Sequence, residues 1–122
     1  LDLEGGQRPW DLPSRVGEDL KVMVCINLLH ISPPTCTEAL LMEACERLPE
    51  DGLLIIYGPF CRNGRQTSAS NAAFDVSLRQ RNPLWGLRDL QWIDSLLGPL
   101  PMDTIGCHEM PANNNTLVLK RS

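Results

Sequence analysis

The chain has 122 residues, 43% hydrophobic, 21% charged and 5% aromatic, with 9 glycines and 10 prolines, the composition of one ordinary globular domain with a single core. Eleven Lys+Arg against 15 Asp+Glu give a formal charge of -4, a field that repels phosphate polymers and anionic surfaces, so neither nucleic acid nor a membrane is an expected partner. Apolar runs stop well short of the ~20 residues of a membrane span, and no basic start leads into an apolar stretch, which points to a cytoplasmic or nuclear protein.

The first residues, Leu1-Asp2-Leu3, resemble the end of a strand and pass at once into Glu4-Gly5-Gly6 and a loop containing Pro and Trp through Ser14. Lys21 to Leu29 is almost continuously apolar without clean alternation, the pattern of a parallel strand covered on both faces. Such a strand left at an edge would expose unpaired backbone groups. An N-terminal part of the domain is therefore expected to be missing from this chain, with a polypeptide partner along Val22 to Leu28 as one consequence.

After His30-Ile31-Ser32-Pro33-Pro34, the run Thr35-Cys36-Thr37-Glu38 fits a capping box with Thr35 at the N-cap. Leu41, Ala44, Cys45 and Leu48 then recur at helical spacing until Pro49 and Gly52. Gly52 to Tyr57 is a short apolar run rich in strand formers, stopped by Gly58-Pro59. Strand, capped helix and strand make a βαβ unit with parallel strands. Cys61 to Ser70 is a polar loop, Asn71 to Arg81 a helix interrupted by Asn82-Pro83, and Leu87 to Leu97 a further helix ended by Gly98-Pro99. Met102 to Glu109 and Thr116 to Lys120 form an antiparallel hairpin around a Pro- and Asn-rich turn. The fold class is α/β, a mostly parallel sheet ending in that hairpin.

Five cysteines, Cys25, Cys36, Cys45, Cys61 and Cys107, are odd in number and form no C-x-x-C pair, so no disulfide framework is expected. A zinc site would need His30 or His108 to join them across irregular gaps, and no metal is expected.

Ligands of open parallel sheets bind beyond the carboxyl ends of the strands. The first strand runs out into Asn27, His30 and Ser32, the second into Tyr57, Gly58, Pro59 and Phe60, and the hairpin turns at Glu109 to Asn114. If the first hairpin strand is parallel to the other two, these clusters share one edge. His30 is the general-base candidate, because imidazole titrates near neutral pH and stands where an apolar strand opens into a loop; a loop-bracing histidine is the alternative. His108 reads as a structural or surface residue. Asn71, Asp75 and Arg79 form one helical stripe, either a solvated face with an Asp–Arg pair or, with Arg81, Trp85, Arg88 and Asp89, one wall of a substrate pocket. Asn113 and Asn114 suit a turn as well as a ligand. Asn82-Pro83-Leu84-Trp85 resembles the Asn-Pro-Pro-aromatic signature of amino-group methyltransferases but falls between two helices. Glycine-rich phosphate loops, dinucleotide fingerprints and Gly-x-Ser-x-Gly elbows do not occur.

The order of motifs Cys25-Ile26-Asn27-Leu28-Leu29-His30-Ile31-Ser32-Pro33, Tyr57-Gly58-Pro59-Phe60, Ser70 to Asp75, Arg81 to Asp89 and Glu109-Met110-Pro111-Ala112-Asn113-Asn114 closely resembles the methyltransferase-like protein 26 family over nearly the whole chain. The resemblance implies the C-terminal, substrate-side portion of a Rossmann-like, seven-stranded domain that uses S-adenosylmethionine, residues 1-122 being one part of a single domain. By the same resemblance Asp2 lies near the adenine of the cofactor, Asn27 and Leu28 near its methionine end, His30 near the acceptor, and Tyr57, Asn71, Asp75, Trp85, Arg88, Asn113 and Asn114 on the substrate side. The family's glycine-rich first loop would precede Asp2. Two functions follow as expectations: methyl transfer to a small or unidentified acceptor, with this chain inactive alone, or a shortened, non-catalytic form acting as a protein-interaction module.

Overall fold

The computed structural model describes residues 21–122; Asp2 and the strand end expected at Leu1 to Leu3 lie outside them. Among the described residues the elements run β1 (Val22–Ile26), a 3-10 turn (Leu29–Ile31), α1 (Pro34–Arg47), β2 (Leu53–Gly58), β3 (Phe60–Cys61), α2 (Ala69–Arg81), β4 (Arg88–Asp89), α3 (Leu90–Leu97), β5 (Met102–Met110), a second 3-10 turn (Pro111–Asn113) and β6 (Asn114–Arg121).

The main sheet has the order β1-β2-β6-β5. β1 and β2 are parallel, with Val22 opposite Leu53 and Ile26 opposite Tyr57, and α1 supplies the crossover that parallel pairing requires. β6 is antiparallel to both β2 and β5, so β5 runs parallel to β1 and β2. The carboxyl ends of β1, β2 and β5 therefore meet along one edge, as the sequence pattern required. The tail is the expected hairpin, but it is built into the sheet: β6 inserts beside β2 and leaves β5 outermost.

α1 begins two residues earlier than the capping-box spacing implies. Pro33 occupies the N-cap and Pro34 the first helical position, with no side-chain cap bond. Proline is suited to that position, since its fixed φ is already helical and its missing N–H would have no partner there. The helix from Asn71 starts instead at Ala69, where the Ser68 side chain accepts the Asn71 N–H at 3.0 Å. The expected helix from Leu87 is shortened because Arg88 and Asp89 pair with Phe60 and Cys61 as a small parallel ladder. That ladder also takes Cys61 out of the expected loop. Asp89 then caps α3 by accepting the Gln91 N–H at 2.8 Å.

One face of the sheet carries the core. Cys36, Leu40, Leu41 and Ala44 form the buried stripe of α1, continued by Leu48 at its C-cap, and Ile93 and Leu97 that of α3; they cover Met23, Cys25, Leu54, Ile56, Leu117 and Leu119. Leu41, Leu54, Ile93 and Leu119 are fully buried, each stabilising the fold by about 1.5–3 kcal/mol relative to an exposed position. The opposite face departs from the two-sided burial expected of β1. Val22, Val24 and Ile26 are 43%, 57% and 62% exposed among the described residues, and their partners Leu53, Ile55 and Tyr57 are half-buried.

Candidate functional site

At the end of β1 the chain turns sharply through Asn27, whose backbone is left-handed (φ 51), a conformation that asparagine tolerates better than most residues. The Asn27 N–H still donates to the Tyr57 carbonyl at 2.9 Å, the last bond of the parallel ladder. A 3-10 turn follows, closed by the Ile31 N–H to the Leu28 carbonyl at 3.1 Å and braced by the Ser32 hydroxyl, which donates to the Leu29 carbonyl at 3.1 Å. This turn carries His30.

The imidazole is 7% exposed. It meets the Phe74 ring edge to face at 5.5 Å, while its backbone carbonyl accepts the Gly86 N–H at 3.0 Å. Gly58 at the end of β2 lies beneath it: a β-carbon there would sit 3.7 Å from His30 Nδ1 and 3.6 Å from Asn27 Oδ1. Burial pulls the imidazole below its ordinary value of 6.5, and the positive charge of Arg88 adds to the effect. His30 is therefore held mainly neutral at pH 7, the form able to accept a proton.

The His30 ring opens into a cleft of about 420 Å³ lined by Asn27, His30, Pro59, Ser70, Asn71, Phe74, Ala112 and Asn114. Of the residues singled out from sequence, four meet here: Asn27, His30, Asn71 and Asn114. Asn71 is buried and ties the hairpin turn to the start of α2, its Nδ2 donating to the Asn113 carbonyl at 3.1 Å and the Thr67 hydroxyl at 3.3 Å. The Asn113 amide donates to the Ser70 hydroxyl at 3.4 Å. Ala112 and Asn113 are both left-handed (φ 62 and 60), so this turn is strained at two consecutive non-glycine positions.

Leu28, Tyr57, Asp75, Trp85, Arg88 and Asn113 are not among the lining residues of that cleft. Asp75 does pair with Arg79 at 3.1 Å, yet its other oxygen accepts the Leu87 N–H at 2.9 Å. Its carboxylate thereby holds the loop that holds His30. Arg88 is buried behind the turn, and Trp85 is half-buried in the loop after α2. Asn82-Pro83-Leu84-Trp85 lies between α2 and β4, as its place in the sequence indicated.

Pro59 and Ala112 come from the strand end and the hairpin turn expected at this edge, while Ser70 and Phe74 complete the cleft without having been singled out for it. The signal for these two was present, since Ser70 and Phe74 stand four apart on α2, the spacing that puts side chains on one helical face. Phe74 is 38% exposed, which a residue serving only as core would not be. Among the described residues no Asp, Glu, Lys or Arg lines this cleft, and no cluster of His, Cys, Asp and Glu could hold a metal ion.

The described elements form an α/β fold that resembles part of an S-adenosylmethionine-dependent methyltransferase domain. A solved structure of an O-methyltransferase family 2 protein from Planctomyces limnophilus, in complex with apigenin, matches 84% of this chain and 30% of its own, with a TM-score of 0.73 and 17% identity. An O-methyltransferase family protein from Burkholderia thailandensis matches 91% of this chain and 33% of its own, with a TM-score of 0.70 and 19% identity. LepI, in complex with SAH and a substrate analogue, matches 84% of this chain and 26% of its own, with a TM-score of 0.69 and 10% identity. These likenesses establish the fold, and the chain spans about a third or less of each of those structures. By sequence the chain belongs to the family described as protein of unknown function DUF938, whose model matches residues 1–121.

Proposed function

We propose that this chain forms the acceptor side of an S-adenosylmethionine-dependent methyltransferase of the methyltransferase-like protein 26 type, acting on a small molecule in the cytoplasm or nucleus. The observation that carries the reading is the neutral, buried His30 opening into a cleft beyond the carboxyl ends of the parallel strands, where ligands of such sheets bind. The O-methyltransferase neighbours support the same class.

Asn27 is exposed where β1 ends, and Leu28 follows it half-buried, a polar and an apolar group that suit the methionine end; Asp2 is assigned to the adenine end by the resemblance alone. When bound, S-adenosylmethionine supplies an already activated methyl group. The work left to the chain is alignment of the acceptor. Phe74 and Pro59 offer it an apolar wall, while Asn27, Asn114 and the free acceptor capacity of Asn71 offer hydrogen bonds. With no fixed charge lining the cleft among the described residues, an ammonium or carboxylate would lose hydration without a counter-charge from them. An uncharged hydroxyl acceptor fits best, and His30 is the group that would take its proton.

The test is label transfer from methyl-labelled S-adenosylmethionine by the full-length protein to phenol, benzylamine and benzoate. Transfer to phenol is expected to lead, and His30→Gln to lower kcat by roughly 10²–10⁴-fold, the usual worth of a general base. Full turnover of His30→Gln across pH would remove that role.

A second reading, a protein-interaction module, is supported by the exposed apolar face of Val22, Val24 and Ile26 on a strand with β2 as its sole described neighbour. It requires the chain to gain order with another polypeptide along Val22 to Leu28; a cooperatively melting monomer counts against it.

A further inference from the structure

We infer that Arg88 is a positioning residue for His30: its buried guanidinium joins the Ser32 carbonyl, at the exit of the His30 turn, to the Leu84 carbonyl of the loop whose Gly86 N–H holds the His30 carbonyl. Nη2 makes both bonds, at 3.2 Å to Ser32 and 2.8 Å to Leu84. The Nε is buried without a hydrogen-bond partner. No carboxylate bonds to this cation among the described residues; the nearby Asp75 is occupied by Arg79, by the Gln66 amide at 3.2 Å and by the Leu87 N–H.

A buried cation held by neutral carbonyls, with one donor unsatisfied, is a costly way to fill space. An apolar side chain of similar volume would serve packing as well or better. What the cation adds is a clasp between two loops, made through one nitrogen, and a positive field on the imidazole. The clasp fixes the turn on both sides of the ring, since the Gly86 bond holds His30 itself and the Arg88 bond holds Ser32 two residues on. The field favours neutral His30. Among the described residues the charge that acts on the ring is that of Arg88 from β4; the Asp75–Arg79 pair of α2 lies against Gly86, whose N–H holds the His30 carbonyl. The end of β2 places Gly58 beneath the ring, beside Asn27. Arg88 does not line the cleft, so it acts through His30 and not on a ligand.

The consequence for turnover rests on the proposed methyl transfer, but the positioning itself can be read without it. The His30 ring is titrated by NMR in the full-length protein and in Arg88→Met. The expected result is a rise of the His30 pKa toward its ordinary value in a variant that remains folded; an unchanged pKa overturns the inference. Should Arg88→Met not fold, Arg88→Lys carries the test, because its ammonium keeps the charge but ends one bond short of the place from which Nη2 bridges the two carbonyls. Loss of the ring-to-ring nuclear Overhauser contact between His30 and Phe74 is then expected, and its full retention overturns the clasp. In the transfer assay the acid limb of kcat should move with the NMR pKa. A shifted pKa without any transfer leaves the clasp standing and removes the methyltransferase reading.

Discussion

Gly86→Ala strikes the joint between the helix α2 and the His30 turn. Gly86 has φ 150, and a β-carbon there would lie 2.8 Å from both Arg79 Nη2 and Asp75 Oδ1. Backbone in this region is essentially restricted to glycine and costs an alanine about 1–3 kcal/mol. The Asp75 carboxylate must also move, and the bond it would loosen is the one that accepts the Leu87 N–H at 2.9 Å. A hydrogen bond to a charged group contributes about 1.5–3 kcal/mol. Together these give a loss of roughly 3–5 kcal/mol, a large share of the ~5–15 kcal/mol that stabilises a typical domain. Urea unfolding followed by tryptophan fluorescence measures it directly, Trp85 being the neighbouring residue. Because part of the loss runs through Asp75, the double variant with Asp75→Ala should cost less than the sum of the two singles. A loss under about 1 kcal/mol, or strict additivity, would refute the view that Gly86 exists to let Asp75 and Arg79 approach.

Ala112→Gly relieves a left-handed alanine (φ 62) and should stabilise the protein by about 1 kcal/mol, measured as a rise in Tm; a fall would show that the turn is not strained there. The His30 pKa is lowered in the fold, so the unfolded chain binds its proton more readily. Stability from this residue is complete above the ordinary histidine value near 6.5 and falls as pH drops below it; the slope of urea stability over that window should shrink in His30→Gln. Cys25 is buried and its thiol pushed up to about 11, whereas Cys107 is exposed. Alkylation of the native protein read by mass spectrometry should modify Cys107 well before Cys25, and equal rates would contradict the burial of β1's inner face.

Much of the fold was legible because its signals are local. The apolar runs at Val22 and Leu53, separated by a helix-length amphipathic segment, demand parallel pairing, and the Pro- and Asn-rich turn between the last two strands demands a hairpin. Where the hairpin sits was not legible: insertion of β6 beside β2 depends on side-chain packing between residues more than 50 apart. The face of β1 was misjudged for a related reason, since a continuous apolar run marks residues that favour burial and not which elements provide it. At the site, His30 and Asn27 stood out because a strand ended on them. Arg88 and Asp75 looked alike as polar groups near a pocket, and only the structure shows both turned toward backbone groups of the loops around His30. Phe74 was not singled out, because a helical period cannot tell a core aromatic from one that faces a cleft.

The most direct test of the account is to titrate S-adenosylmethionine into the isotope-labelled full-length protein and follow the backbone amides by NMR. Saturable shifts should appear at Asn27, Leu28 and His30, at the carboxyl end of β1, and extend to Asn114 across the cleft. Saturable binding that leaves these residues unmoved, or no binding at all, would contradict the placement of methyl transfer at this edge of the sheet.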